Sequence, residues 1–179
     1  MKNSKILDIT LCAAFTAIIC LFTMFIQIRI FPTQGGMVHI GNVPLFFVAA
    51  FYGKKIGAVS GGLGMFLSDL ISGWVTYSVA TLIVVAIMGW VFGAIVNEKI
   101  TLPRLLAAVA AVLGIKLAGY YIFEMIFIYH HPLGPVANIP GNTIQILTGA
   151  IIAVPLILAT KTVMARLKKN QTQVTRKEA

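Results

Sequence analysis

Residues 46–64 read FFVAAFYGKKIGAVSGGLG, two apolar runs separated only by Lys54 and Lys55. A cation pair is costly in hydrocarbon, so in a membrane chain Lys54-Lys55 belongs to a cytoplasmic turn between two spanning helices. Working outward from it, further apolar runs follow at Ile6 to Phe31, His39 to Tyr52, Ile56 to Trp74, Tyr77 to Val96, Leu105 to Tyr129 and Ile139 to Met164. Most approach or exceed the roughly 20 residues that a bilayer core requires of a helix. Lys2 and Lys5 precede the first run, Lys99 and Arg104 separate the fourth and fifth, and Lys161, Arg166, Lys168, Lys169, Arg176 and Lys177 close the chain. With Lys54 and Lys55, twelve of the fourteen Lys and Arg residues fall on one side of an alternating pattern. By the positive-inside rule, the expectation is an all-α membrane protein of six transmembrane helices with both termini cytoplasmic.

Composition agrees: 59% of residues are hydrophobic, 11% are charged and mean hydropathy is +0.93, outside the usual range of a soluble domain. One integral membrane domain, residues 1–166, is expected, followed by a polar cytoplasmic tail, 167–179, expected to be disordered. The net charge of +9 is spread over short loops and the tail without an aromatic-interleaved patch, which favours anionic lipid headgroups over nucleic acid as its counterpart. The first run exceeds the 7 to 15 or so residues of a signal-peptide core and contains Asp8, so it reads as a retained helix. Cys12 and Cys20 on that helix are about 12 Å apart along its axis, too far for a disulfide.

The exceptions to the charge pattern are Arg29, at the outer end of the first run, and Lys116, deep inside the fifth. Lys116 follows Arg104 by twelve residues, about 18 Å of helix, which puts it near mid-membrane, where an ammonium costs about 3 kcal/mol unless it faces protein or water. Tyr120 and Glu124 follow at i+4 and i+8, and the drift of about 80° over eight residues lets all three line one cavity. The alternative is a lysine paired with an acid of another helix, with Asp69 a candidate. Other polar groups collect at the same outer level: Asp69 ending the third helix, His39 and Asn42 opening the second, Thr81 in the fourth, Asn138, Asn142 and Gln145 opening the sixth, and Gln27 and Arg29 ending the first. The cytoplasmic halves hold far fewer, which implies a pocket that opens outward and is closed below. Trp74 and Tyr77 suit either interfacial anchoring or stacking on a flat ligand. The loop Phe31-Pro32-Thr33-Gln34-Gly35-Gly36-Met37 has the glycine freedom of a lid. Adjacent His130 and His131 lack acidic or Cys partners at metal-ligand spacing, and no metal site is expected.

The chain contains no phosphate-binding GxxxxGK[ST] loop, acidic metal cluster or CxxC pair. Any directed transport would draw its energy from an ion gradient or a partner, and the lack of an internal repeat weighs against ion coupling. Small residues recur at helical spacing as Ala13/Ala17, Gly57/Gly61, Gly89/Gly93, Gly114/Ala118 and Gly149/Ala153. Each pair opens a groove for a close helix crossing, internal in most cases, with Ala13/Ala17 open to a partner as well.

The chain length, the Ala13/Ala17 pair and the run Gly41-Asn42, Tyr52-Gly53-Lys54-Lys55-Ile56-Gly57, Gly61-Gly62-Leu63-Gly64, Ser68-Asp69-Leu70-Ile71-Ser72-Gly73 and Thr81 to Gly93 resemble the substrate-binding S components of energy-coupling factor (ECF) transporters. The resemblance covers nearly the whole chain and is closest to the riboflavin, hydroxymethylpyrimidine and vitamin B6 branch, in which an Asp often stands where this chain has Asn42. It implies a non-enzymatic, multi-pass protein of a bacterial plasma membrane that captures a vitamin or precursor from outside. It also implies work with a transmembrane T component and two cytoplasmic ATPases, with no cofactor of its own, ATP being used by the partners. Ala13 and Ala17 would face the T component. Asn42, Asp69, Trp74, Tyr77, Thr81, Lys116, Tyr120, Glu124, Asn142 and Gln145 would form the substrate site, best suited to hydroxymethylpyrimidine or a pyridoxine-type ring, with riboflavin second. A stand-alone secondary transporter or channel is the main rival. An intramembrane hydrolase is disfavoured because Ser60 lies on the cytoplasmic side, away from His39, His130 and His131, and Ser68, Ser72 and Ser78 belong to no nucleophile motif.

Overall fold

The computed structural model describes residues 2–29, 37–97 and 99–178. Five helices carry the fold: α1 (Lys2–Phe25), α2 (Asn42–Ile71), α3 (Val75–Val96), α4 (Leu102–Phe127) and α5 (Ile139–Glu178). A 3-10 helix, Gly134–Asn138, precedes α5, and strands β1 (Gln27–Arg29) and β2 (Met37–His39) form an antiparallel pair in which Gln27 faces His39 and Arg29 faces Met37. Each of the five helices contains a window long and apolar enough to cross a membrane. Large aliphatic side chains such as Ile71, Ile83, Ile122 and Ile151 are exposed along them, as a hydrocarbon solvent permits.

α2 contains the quoted stretch. Its helix is broken at Gly53, whose φ of 86° and ψ of 178° lie in a region essentially reserved for glycine. The chain folds back there. A Cβ on Gly57 would lie 2.7 Å from the Ala49 Cβ, and Gly61 backs onto the Leu45 side chain; in a straight helix each of these pairs would be about 12 Å or more apart. Residues 42–52 and 54–71 therefore lie side by side, and the turn expected at Lys54-Lys55 is made by Gly53 alone. Replacing Gly53 with Ala should cost about 1–3 kcal/mol, read as a lower melting temperature in detergent.

The small-residue pairs divide by role. Gly57 and Gly89 meet backbone to backbone, with a Cβ on Gly57 3.2 Å from the Gly89 carbonyl oxygen, and Gly93 packs on the Lys54 backbone, its Cβ position 2.6 Å from Lys54 Cα. These contacts bring the second arm of α2 tightly against α3, and Phe46 of the first arm stacks on Phe92 of α3 at 4.6 Å between centroids. Gly149 rests on Asn42, and Ala153 is fully buried. Gly114 and Ala118, by contrast, are exposed on α4, as are Ala13 and Ala17 on α1. α1 is also the least covered span, with 17% of its apolar window buried against 61% for α2.

Three boundaries differ from the sequence expectation. The first apolar run stops being helical at Phe25, so Gln27 and Arg29 belong to β1 rather than to a helix end, and His39 lies in β2 rather than opening a helix. β1 and β2 hold each other through their backbones, and Ile40 N–H donates to the Ile26 carbonyl at 3.2 Å. α5 continues to Glu178, through the stretch expected to be disordered; at 40 residues it is about 60 Å long and extends well beyond a hydrocarbon core of about 30 Å. The proposed lid residues Phe31 to Gly36 lie outside the described residues. Cys12 and Cys20 are free thiols.

Candidate ligand-binding site

The stripe on α4 folds as its spacing requires. Lys116, Tyr120 and Glu124 are 2%, 8% and 1% exposed, and all three line one cavity of about 60 Å³. α2 contributes Met65 and Asp69, the start of α3 contributes Trp74, Tyr77 and Thr81, α5 contributes Asn142 and Gln145, and β2 contributes Met37 and His39. Nine of the ten residues assigned to a substrate site from sequence thus meet around a single space. Asn42 does not: it is fully buried behind the wall, donating from Nδ2 to the Gln145 carbonyl at 3.4 Å. Met37, His39 and Met65 were not in that set. Met65 could have been found, since it sits one turn before Asp69 on the same helix face; His39 stood among the outer polar residues, and Met37 carried no signal.

The Lys116 ammonium stands 4.8 Å from the centroid of the Tyr120 ring, at cation–π distance. Asp69 and Glu124 line the same cavity as the ammonium. The lysine therefore faces a cavity that two acids also line. Tyr120 is fixed by a 2.8 Å hydrogen bond between its hydroxyl and Thr81 Oγ1. Tyr120→Phe, by removing that bond, should lower stability by about 1 kcal/mol, again measurable as a melting shift. Trp74 packs edge-on to Tyr77 at 6.1 Å, and Tyr77 packs against Phe123 at 5.5 Å, forming an aromatic wall.

Part of this set has unmet hydrogen-bonding capacity. Glu124 Oε1, Gln145 Oε1 and the Tyr77 hydroxyl are buried without a hydrogen-bond partner, a condition that ordinarily costs about 1–3 kcal/mol per group and calls for an explanation. Gln145 spends its other atom on the strand pair, Nε2 donating to the Met37 carbonyl at 2.8 Å. His39 accepts from Gly41 N–H through Nδ1 at 3.2 Å. Burial, reinforced by the positive charge of Lys116, pushes its imidazole down to about 3, so it lines the cavity as a neutral group.

His130 and His131 are exposed in the loop after α4, where His131 Nδ1 accepts from Leu133 N–H. Ser60, Ser68 and Ser78 are buried in the helices, and Ser78 Oγ donates to the Val75 carbonyl.

The fold and the cavity define a multi-pass membrane protein with a polar, charge-lined cavity among its helices. The chain belongs to the ECF-type riboflavin transporter S component family, which it matches over residues 3–162. It is a transporter component and not an enzyme. It is 24% identical over 153 residues, 86% of this chain and 87% of the relative, to the thiamine precursor transporter HmpT of Lactococcus lactis subsp. cremoris (strain MG1363). It is also 29% identical over 135 residues, 73% of this chain and 85% of the relative, to an uncharacterised protein in a gap 3′ region of Pyrococcus woesei.

Proposed function

We propose that this S component captures hydroxymethylpyrimidine or a pyridoxine-type ring from the outer side of a bacterial plasma membrane and delivers it inward with a T component and two ATPases. The observation that carries this reading is the group of buried, unpartnered atoms, Glu124 Oε1, Gln145 Oε1 and Tyr77 OH, around the Lys116 ammonium. A ring bearing both donors and acceptors suits this set: its acceptor nitrogen or hydroxyl accepts a hydrogen bond from the Lys116 ammonium, and its amine or hydroxyl donates to Glu124 and Gln145. Trp74 and Tyr77 cover the ring face, Asp69 and Asn142 complete the polar rim, and Asn42 holds Gln145 in place. No cofactor is needed for this, and ATP is used by the partner subunits.

Size supports a single ring. A cavity of about 60 Å³ has room for about four to six waters, which suits one substituted heterocycle better than the three fused rings of a flavin. The relationship to HmpT, named for a thiamine precursor, points the same way. Riboflavin is the second reading, favoured by the name of the matched family.

Counting the two arms of α2 separately supports a reading of six membrane segments, and the positions of Lys54, Lys55, Lys99, Arg104 and the cations of α5 support cytoplasmic termini. Ala13 and Ala17, exposed on the least covered helix, are the surface proposed to meet the T component.

The test is mass spectrometry of small molecules released from the chain purified alone in mild detergent. A stoichiometric pyrimidine or pyridoxine-type compound is expected. A folded protein that releases only riboflavin would move the assignment to the second reading, and one that neither releases nor takes up any of the three would overturn the capture role.

A further inference from the structure

A second cleft, of about 390 Å³, is lined by Asn97, Lys99, Ile100, Thr101 and Lys161. It stands where the connection from α3 to α4 meets α5, at the opposite end of α3 from the ligand cavity; roughly 30 Å of helix separates Tyr77 from Asn97. Lys161 is pinned there, its Nζ donating to the Ile100 carbonyl at 2.6 Å. An ammonium has three donors, so two remain for another partner, on a side chain whose position the first bond already holds. Lys99 is exposed in the same cleft. Thr101 occupies the capping position of α4, yet its side chain makes no capping bond, which leaves the hydroxyl for a ligand, and Asn97 adds an amide. The set is two cations with neutral donors, and no carboxylate stands among the described lining residues. The sequence adds one acid beside Lys99, Glu98, which lies outside the described residues. Two lysines against one acid leave a single net positive charge, the complement of a phosphodiester rather than of a monoester with its nearly two negative charges.

The surroundings select a lipid over a soluble anion. Leu102 and Leu106, 48% and 55% exposed and one turn apart, lead away from Thr101 along the spanning helix α4. Val154 and Leu158, both half-buried, lie on the same face of α5 as Lys161. A polar cleft thus adjoins an aliphatic surface, as a headgroup adjoins its chains.

We infer that this cleft binds the headgroup of an anionic phospholipid through its phosphodiester, Lys99 and Lys161 holding the phosphate and an acyl chain lying along Leu102 and Leu106. Basic pockets between spanning helices on the cytoplasmic side suit such headgroups. The inference takes its leaflet from the topology proposed above, but binding itself depends neither on that orientation nor on the captured ligand. A lipid held from the α3–α4 connection and from α5 at once ties the two together, so its binding should also raise the melting temperature.

The experiment is native mass spectrometry of the full chain in mild detergent, titrated separately with dioleoyl phosphatidylglycerol, dioleoyl phosphatidylcholine and glycerol 3-phosphate. One phosphatidylglycerol per chain should bind at least tenfold more tightly than phosphatidylcholine, and glycerol 3-phosphate should not bind at the same concentrations. Lys99→Gln should weaken phosphatidylglycerol binding about fivefold, and Lys99→Gln with Lys161→Gln about 25-fold. Arg166→Gln with Lys169→Gln, further along α5, should leave it within threefold. The single Lys99 variant keeps the Lys161 bond and decides the matter if the double variant melts early. Equal affinity for the two lipids, or an equal loss in both double variants, would overturn the cleft as a site. Glycerol 3-phosphate binding as tightly as the lipid would overturn the lipid assignment in favour of a soluble phosphate. If phosphatidylglycerol shows no preference but Lys99→Gln prevents co-purification with a T component, the cleft is a protein contact and the inference fails.

Discussion

Glu124→Gln should weaken ligand binding about 100-fold, roughly 3 kcal/mol, in titrations of the purified chain, while leaving insertion and melting temperature nearly unchanged. The side chain is 1% exposed, one oxygen has no partner, and the carboxylate shares the cavity with Lys116. The amide keeps the shape but gives up the charge and replaces one acceptor with a donor, so a ligand amine or hydroxyl loses a charge-assisted bond and can meet an N–H instead. The neighbouring change Lys116→Met should be harsher and of a different kind. Removing the ammonium leaves Asp69 and Glu124 buried without their counter-charge, a loss of about 3–5 kcal/mol in comparable buried sets, so it should lower the melting temperature as well as affinity. Unchanged affinity in Glu124→Gln would remove this residue from the site.

The second large effect concerns α1. A leucine at Ala13 or Ala17 should leave ligand affinity unchanged and abolish ATP-dependent uptake by the chain reconstituted with a T component and ATPases. Both alanines are exposed, and the exposed face of α1 that carries them, with Leu7, Ile9 and Leu21, has no cover among the described residues. Close helix approach depends on small side chains at this spacing, and one leucine in the groove forces the helices apart. Co-purification of the T component measures the same contact directly. Uptake at the normal rate in both variants would show that this face is lipid-exposed only.

Much of this arrangement could be read in the chain because it rests on effects that are local in sequence. The energetic cost of a charge in hydrocarbon fixes where Lys54, Lys55, Lys99 and Arg104 can lie, and the period of the α-helix fixes that Lys116, Tyr120 and Glu124 share a side. The level of Asp69, Thr81, Asn142 and Gln145 followed from counting residues along apolar runs. Features that depend on contacts distant in sequence were not legible. Three-residue strands carry no usable periodicity, and β1 exists only because Met37–His39 returns to pair with it. Asn42 lay at the right depth, but its direction, away from the cavity and toward Gln145, is set by the packing of Gly149 against it. The reversal at Gly53 was hidden by its neighbours, since the lysine pair gave the place of the turn but only the backbone conformation shows that one residue makes it.

The central claim, that this chain captures a ligand but does not carry it across by itself, is tested most directly in liposomes containing the purified chain alone and given labelled hydroxymethylpyrimidine, pyridoxine or riboflavin outside. The account predicts label retained at no more than one ligand per chain, unchanged by ATP inside or by an ion gradient. Label that accumulates in proportion to the enclosed volume would show that the chain translocates alone and would contradict it.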